Sequence, residues 1–518
     1  MAFRGNPRVS ITAINTGGGI ASSRTSGATP CFVQVSASAI TATGTSRPYE
    51  DLEFVWDFGD AAGTETFTSP TTGRTQNANI QIGPEAAYCY RTADTYTITL
   101  RIRGKKAVGY TTATVQLEVT VSAFNPSGGE FYFDSVAGLD ANDGLSEGAP
   151  KQTISAINTA IASNRRLNLK RGSSWAGTTG ISITAAAYSA IRFQAYGSGA
   201  DPIVEITSGS NRPLHMTNGT AGTARAKSDI VLGGLSLKAS VAAVVAVELS
   251  NVANATAEFN DIYLDNCSFE TVAGAATAVV IMQHGTPAFN HAGLWNCDLL
   301  SPLASGLGNR QGFFGGAKDW HFFVGGSVAG GGSNDVLDHH IYPDVKTHSL
   351  HKWIDFGSGD GKNYCVNTNW DGGGSLENAD YHCFSECLMT GSLRAIDLGN
   401  STNDPTLTLF RYVVLDACRM HGLAGDGVIL FACAEFFTAR DCESWNCSGG
   451  RWFANGSALD DILQARLYRN KIYKASGEAA GQVFDYATGT WTVAQAITDN
   501  VAQDMRAYLW TFSMLRRA

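Results

Sequence analysis

The chain has 518 residues, with 37 Lys and Arg against 46 Asp and Glu, for a net charge of -9 at neutral pH. Only 16% of residues are charged, 44% are hydrophobic and 57 are Gly, where an average protein has about 25% charged residues and about 7% Gly. This turn-rich composition is too apolar for a disordered chain, and the acidic balance without a basic block excludes counterion-release binding to nucleic acid. The longest apolar stretches, from Val241 to Val247 and from Ala273 to Met282, fall short of the roughly 20 residues that span a bilayer. No hydrophobic core follows the N-terminal Met-Ala-Phe-Arg-Gly-Asn-Pro-Arg, so no signal peptide is read. The expectation is a folded, β-rich protein made in a cytoplasm, with no membrane insertion and no nucleic-acid partner.

From about Val9 to Ala123, polar and apolar residues alternate between turn clusters, as in Phe32-Val-Gln-Val-Ser, Leu52-Glu-Phe-Val-Trp-Asp-Phe and Thr114-Val-Gln-Leu-Glu-Val-Thr-Val. Period-two alternation bounded by Gly, Pro, Asn and Ser predicts short antiparallel strands in a sandwich. Trp56-Asp57-Phe58-Gly59-Asp60, then Tyr88-Cys-Tyr90, then Asp94-Thr-Tyr96-Thr-Ile-Thr-Leu100 resembles the polycystic kidney disease (PKD) domain. Asp94 stands where that family commonly has Gly. The resemblance implies an immunoglobulin-like fold over residues 1–123, with Trp56 and Phe58 turned inward and Asp57 and Asp60 holding turn amides. Cys31 and Cys89 are placed to approach each other across such a sandwich, and whether they pair is left open.

Asn125-Pro-Ser-Gly-Gly129 lies in a turn-rich linker, residues 124–130. After it come Phe131-Tyr-Phe-Asp, the turn Gly138-Leu-Asp140-Ala-Asn142-Asp143-Gly144, and Pro150-Lys-Gln-Thr153-Ile-Ser-Ala-Ile157. This resembles the opening of right-handed parallel β-helix proteins of the pectate-lyase-like superfamily. Ile154, Ile157 and Ile161 sit at helical spacing, the apolar stripe of a short helix that covers the first coil. A degenerate repeat follows: Asp261-Ile-Tyr-Leu-Asp-Asn-Cys267, Ala292-Gly-Leu-Trp-Asn-Cys297, Tyr381-His-Cys-Phe-Ser-Glu-Cys387, Tyr412-Val-Val-Leu-Asp-Ala-Cys418 and Phe436-Phe-Thr-Ala-Arg-Asp-Cys442. Repeats of this length are those of stacked β-coils, which bury an inner face only against their neighbours. The β-helix is expected over 131–500, with the five Cys as a buried ladder of unpaired thiols. Val501, Met505, Tyr508, Leu509, Phe512 and Leu515 then predict an amphipathic helix over 501–518. The fold class is therefore all-β, a sandwich followed by a parallel β-helix with short capping helices.

The chief irregularity in the repeat is the interval from Gly325 to Asn367, which holds four of the ten His. It supplies Asp338, His340, Tyr342, Asp344, Asp355 and Asp360 as candidate catalytic residues. Trp353 and the nearby Trp370, Asp371 and Glu377 are candidate glycan-binding residues. Paired carboxylates here would serve a glycoside hydrolase. His340, Tyr342, Lys346 or Lys352 would serve as the base of a polysaccharide lyase, and the Trp residues would stack sugar rings without turnover. No metal site is read, because the His spacing fits no metal motif, and no cofactor is implied. A sandwich followed by a β-helix, with unpaired thiols and no export signal, resembles bacteriophage tail spike and fibre proteins. That resemblance implies a homotrimer assembled in the host cytoplasm into the virion tail, with other tail proteins and a host-surface polysaccharide as partners. The alternatives are a secreted polysaccharide lyase or hydrolase, and a non-catalytic fibre protein.

Overall fold

A computed structural model describes residues 10–486, except 107, 185, 218, 221–222, 225, 242–243, 251–257, 273–277, 283–288, 301–310, 316–318, 331–338, 344–346, 358–361, 370–378, 400–409, 424–428, 432–433, 446–452, 456–464, 469 and 473–483. The terminal stretch 501–518 lies outside the described residues. The fold is all-β: among the described residues the only α-helices are Pro48–Asp51 and Ile154–Ala160. The chain divides into two compact units, one of residues 1–124, 346–354 and 368–518 and the other of residues 125–345 and 355–367.

The N-terminal part of the first unit is a pair of sheets. Glu85–Tyr90, Cys31–Ser36 and Ala21–Ser22 form one, and Ser26–Ala28, Tyr110–Ser122, Asp94–Lys105, Glu53–Asp57 and Ile80–Ile82 form the other. All pairings are antiparallel except the edge contact of Ser26–Ala28 with Tyr110–Ser122. Trp56 and Phe58 are fully buried, and the Trp56 indole donates to the Gly83 carbonyl at 2.8 Å. Phe58 stacks on Tyr88 and Tyr90 on Tyr96. Asp57 accepts the Gly59 amide at 3.0 Å and the Asn79 side-chain amide at 3.2 Å, so it holds its own turn. Asp60 instead accepts the Tyr88 hydroxyl at 3.0 Å, and its amide donates to Asn79 Oδ1. Gly59 has φ 73°, and a Cβ there would lie 2.6 Å from the Thr97 carbonyl oxygen, so only Gly fits this turn. Cys31 and Cys89 do not face each other across the sandwich. They lie on neighbouring strands of one sheet, with Cys31 opposite Tyr90 and Cys89 opposite Phe32. A one-residue offset sends their side chains to opposite faces, and neither is in a disulfide.

Each unit also contains coils of a parallel β-solenoid. In the second unit, Lys227–Gly233, Phe259–Asp265, Phe289–Leu300 and Asp319–Ala329 pair in parallel and in register. In the first, Thr347–Lys352, Ala379–Ser385, Phe410–Asp416 and Ala434–Arg440 do the same. Each of these eight coils carries two left-handed residues five positions apart: Asp229 and Gly234, Asp261 and Asn266, His291 and Asn296, Trp320 and Gly325, His348 and Trp353, Tyr381 and Glu386, Tyr412 and Ala417, Phe436 and Asp441. These are the corners that turn the chain from one strand to the next. Asn and Asp tolerate this conformation through local hydrogen bonds. The aromatic residues of the first unit reach it by stacking instead: His348 on Tyr381 at 5.1 Å, Tyr381 on Tyr412 at 4.9 Å and Tyr412 on Phe436 at 5.1 Å.

The residue after the second corner points inside. In the second unit that column is Leu235, Cys267, Cys297 and Gly326, and in the first it is Ile354, Cys387, Cys418 and Cys442. The five Cys are buried and unpaired, as the repeat predicts. Each thiol lies 3.3–3.8 Å from a main-chain carbonyl oxygen of the preceding coil. Burial pushes the Cys267 thiol up to about 12, so it is an inert hydrophobe rather than a nucleophile. Gly326 interrupts the column because its φ is 88° and a Cβ there would lie 2.0 Å from the Cys297 carbonyl oxygen.

The helix Ile154–Ala160 opens the solenoid as the sequence predicts. Its N-cap is Thr153, whose hydroxyl accepts the Ala156 amide at 3.2 Å, while Ile154 and Ile157 are buried. Asp140 organises the preceding turn by accepting the Thr153 hydroxyl at 2.6 Å and the amides of Gln152 and Thr153. Burial alone would raise the Asp140 carboxyl, but these hydrogen bonds and Lys151 outweigh it and hold the group below its usual range. Thr153→Ala removes both the cap and the Asp140 partner. It is expected to lower stability by about 1 kcal/mol, read as a shift of the urea midpoint at unchanged m-value.

Within the first unit the sandwich packs on the solenoid strands through buried polar contacts. Gln34 donates to the His348 carbonyl at 2.9 Å, and the His348 ring lies 3.2 Å from Glu85, which also accepts the Tyr49 hydroxyl. Arg47 donates to the Phe437 carbonyl and lies over the Phe436 ring. Lys352 donates to the Ile82 carbonyl at 2.9 Å.

Candidate functional site

The strand after the second corner alternates inward and outward at period two, and in the second unit its outward positions form two straight columns. The inward residues Trp175, Val204, Leu237, Phe269, Leu299, Val328 and Phe356 are all buried. One outward column runs Ser174, Ile203, Ser236, Ser268, Asp298, Ser327, Asp355, each residue directly paired with the next. The other runs Ala176, Glu205, Lys238, Glu270, Leu300, Ala329. Ser recurs in the first column and Ala stands at both ends of the second, and together they make an outward-facing track along the solenoid.

Four carboxylates stand on it, Glu205 and Glu270 in the second column and Asp298 and Asp355 in the first, where one Ser separates them. The Ser327 hydroxyl donates to Asp298 Oδ1 at 2.6 Å, which orients that carboxylate. Asp355 is half-buried, and desolvation raises its pKa above the ordinary value. The two lie two coils apart, about 9.6 Å between backbones at about 4.8 Å per parallel neighbour. Beside Asp298, Leu300 is 43% exposed and offers an apolar surface on the same strand. Lys238 and Glu270 neutralise one another at 3.5 Å. Among the described residues, no group of three or more His, Cys, Asp or Glu is placed to hold a metal ion.

The sequence-predicted residues fare unevenly. Asp355 is on the outward column. His340 is fully buried, its ring 6.1 Å from that of Phe356, and a ring enclosed in the core has no path to a polysaccharide outside. Tyr342 lies on the strand His339–Pro343 with its backbone opposite Phe314. Trp353, in the first unit, is only 2% exposed and stacks on Phe67 at 5.2 Å, so its face is already occupied by the sandwich. Asp338, Asp344, Asp360, Trp370, Asp371 and Glu377 lie outside the described residues. The expected irregular interval contains regular strands, His339–Pro343, Thr347–Lys352, Asp355–Phe356 and Lys362–Asn369, with the usual corner spacing at His348 and Trp353. It looked irregular because Gly326 and Ile354 replace the marker Cys. Asp298 and Ser327 were missed for the same reason, although Asp298 directly follows the marker Cys297.

Fold and face together define a parallel β-solenoid with an open polar track. No family model and no curated protein matches the chain. Among solved structures it is similar to a GH136 lacto-N-biosidase from Eubacterium ramulus, with 13% identity, a TM-score of 0.43 and coverage of 70% of this chain and 67% of that one. It is also similar to a family 28 exopolygalacturonase from Yersinia enterocolitica, with 10% identity, a TM-score of 0.40 and coverage of 89% and 97%. A rhamnogalacturonan lyase matches with 11% identity, a TM-score of 0.33 and coverage of 66% and 87%. At these scores no residue role is carried over, and the chemistry rests on the residues of this chain.

Proposed function

We propose that the second unit cleaves a polysaccharide by inverting hydrolysis, with Asp355 as general acid and Asp298 as general base. The observation that carries this reading is the in-register column Asp298, Ser327, Asp355. Inverting glycosidases hold their two carboxyl groups roughly 6.5–9.5 Å apart to admit a water, whereas retaining ones hold them at about 5 Å. A two-coil separation, about 9.6 Å between backbones, lies at the upper edge of the former and far from the latter. Asp355, whose half-buried position favours the protonated form, gives its proton to the glycosidic oxygen. Asp298 takes a proton from water, whose oxygen bonds to the anomeric carbon as the bond to the leaving group breaks. Each cleavage thus yields one new reducing end of inverted configuration, and solvent exchange restores both carboxyls.

The biological setting in this proposal is a phage tail spike or fibre that meets a host-surface polysaccharide, with the PKD-like sandwich as its attachment or spacer module and a homotrimeric assembly. The resemblance of Trp56-Asp57-Phe58-Gly59-Asp60 and of the solenoid opening supports that setting. The test is incubation with capsule or lipopolysaccharide from candidate hosts, following reducing ends, absorbance of unsaturated uronates, and the anomeric configuration of the first product by NMR. Inverted reducing ends are expected. Unsaturated products would replace the reading with a lyase, and a retained configuration would rule out the assigned pair.

A further inference from the structure

We propose that the groove between the helix Ile154–Ala160 and the strand Ser174–Gly177 is a distal subsite for an uncharged stretch of the glycan whose cleavage is proposed above. The inference rests on that reading only for the identity of the chain that reaches both places. The groove is open to solvent and holds about 700 Å³, within the size range of small-molecule sites, and none of the residues lining it is charged. Ser155 and Thr159, one helical turn apart and both exposed, form one wall, and Ser174 and Thr178, also exposed, form the other. Trp175 forms the floor, its indole donating to the Gln152 carbonyl at 2.6 Å. Asn158 fixes the helix to the next strand, donating to the Gly180 carbonyl and accepting the Ser182 amide, both at 2.9 Å. The walls are therefore held in place before any ligand arrives, which lowers the ordering cost of binding. At Gly177 an added Cβ would meet nothing within 4 Å, so the groove has room where it opens.

Its place in the fold gives the groove its meaning. Ser174 and Ala176, which line it, are the first members of the two outward columns that lead to Asp298 and Leu300. Four register steps separate Ser174 from Asp298, about 19 Å at about 4.8 Å per step. Between them the track bears Ile203, Ser236 and Ser268 in one column, and in the other Glu205, which accepts the Ser240 hydroxyl, beside the mutually neutralised Lys238 and Glu270. A ligand that touches both ends must be a chain of several sugars. Hydroxyl and amide walls without charge favour a neutral segment, because a uronate or sulfate there would lose hydration without gaining a cation.

The experiment reads binding of the full chain to an array of neutral and acidic glycans of graded length, in the Asp355→Asn background so that turnover does not intervene. Thr178→Arg and Ser155→Arg, both at exposed positions, fill the groove, and unchanged thermal unfolding certifies their fold. Binding is expected to rise with glycan length, to favour neutral glycans, and to fall at least tenfold in either Arg variant. Unchanged binding in both variants, binding confined to acidic glycans, or no binding to any glycan overturns the subsite. If the wild-type chain releases no reducing ends but the Arg variants lose binding, the hydrolase reading fails while the subsite stands.

Discussion

Asp355→Asn is expected to lower glycan cleavage by about 10²–10⁴-fold, the usual contribution of a general acid, while leaving the protein at least as stable as the wild type at neutral pH. The second half of the expectation follows from the same desolvation that qualifies Asp355 for its role. Its folded pKa lies above the unfolded value. Below the unfolded value both states hold the proton and the burial costs nothing electrostatic. As pH rises toward the folded value, the folded state binds the extra proton, and stability falls with pH. Above the folded value the carboxylate is ionised in place and the whole cost is felt. Asn carries no charge at any pH, so its stability advantage should grow from acid to neutral conditions. The activity profile has a matching sign: turnover by the wild type should fall on the alkaline side as Asp355 loses its proton, and the residual activity of Asp355→Asn should lack that limb. Reducing-end assays across pH, with melting temperatures for both proteins, check both halves. An Asn variant with wild-type turnover would remove Asp355 from the mechanism.

The fold was more legible than the site, and the reasons differ. Alternation marked the sandwich because one face of each strand is wet, as in Asp94–Lys105, where buried and exposed residues alternate. The solenoid announced itself through a side chain whose size fits one interior slot, so that Cys recurs there in five coils. The track carries no such signature. Its outward positions accept Ser, Ile, Asp, Glu, Lys or Leu, since solvent imposes little on them, and only register reveals that Asp298 and Asp355 share a column. Register in turn was hidden where Gly326 and Ile354 broke the Cys marker, and the two regular coils there read as one long insertion rich in His and Asp. Residue type then misled in a second way. His340 and Trp353 have the chemistry of a carbohydrate site, but burial decides whether chemistry is available, and each is enclosed by neighbours that are remote in sequence.

Lys352→Met is expected to destabilise the first unit by about 3–5 kcal/mol, the cost of breaking a buried charge pair from one side. The Lys352 ammonium is completely buried. It donates to the Ile82 carbonyl at 2.9 Å and the Ser385 hydroxyl at 3.0 Å, and it lies 4.0 Å from Glu386 Oε1. It also sits 4.8 Å over the Trp353 ring, which stacks on Phe67. Met has nearly the length of the Lys stem, so packing survives while the charge and three donors vanish, and the buried Glu386 carboxylate loses this cation. Gln76, which donates to Glu386 Oε2 at 2.8 Å, is neutral and offsets little of that. In Lys352→Met with Glu386→Gln both charges of the pair are gone, so the double variant should be less destabilised than the sum of the two single ones by about 1 kcal/mol or more. Urea titrations followed by tryptophan fluorescence measure all four corners of the cycle. Since Ile82 and Gln76 belong to the sandwich and Ser385 and Glu386 to the solenoid, the loss should appear in one transition common to both. A Lys352→Met cost below about 0.5 kcal/mol, the range of ordinary surface changes, would mean that the ammonium reaches water, and that the sandwich owes its seat to its other contacts, among them the Gln34–His348 and Arg47–Phe437 hydrogen bonds and the Phe67–Trp353 and Tyr49–Tyr381 ring pairs.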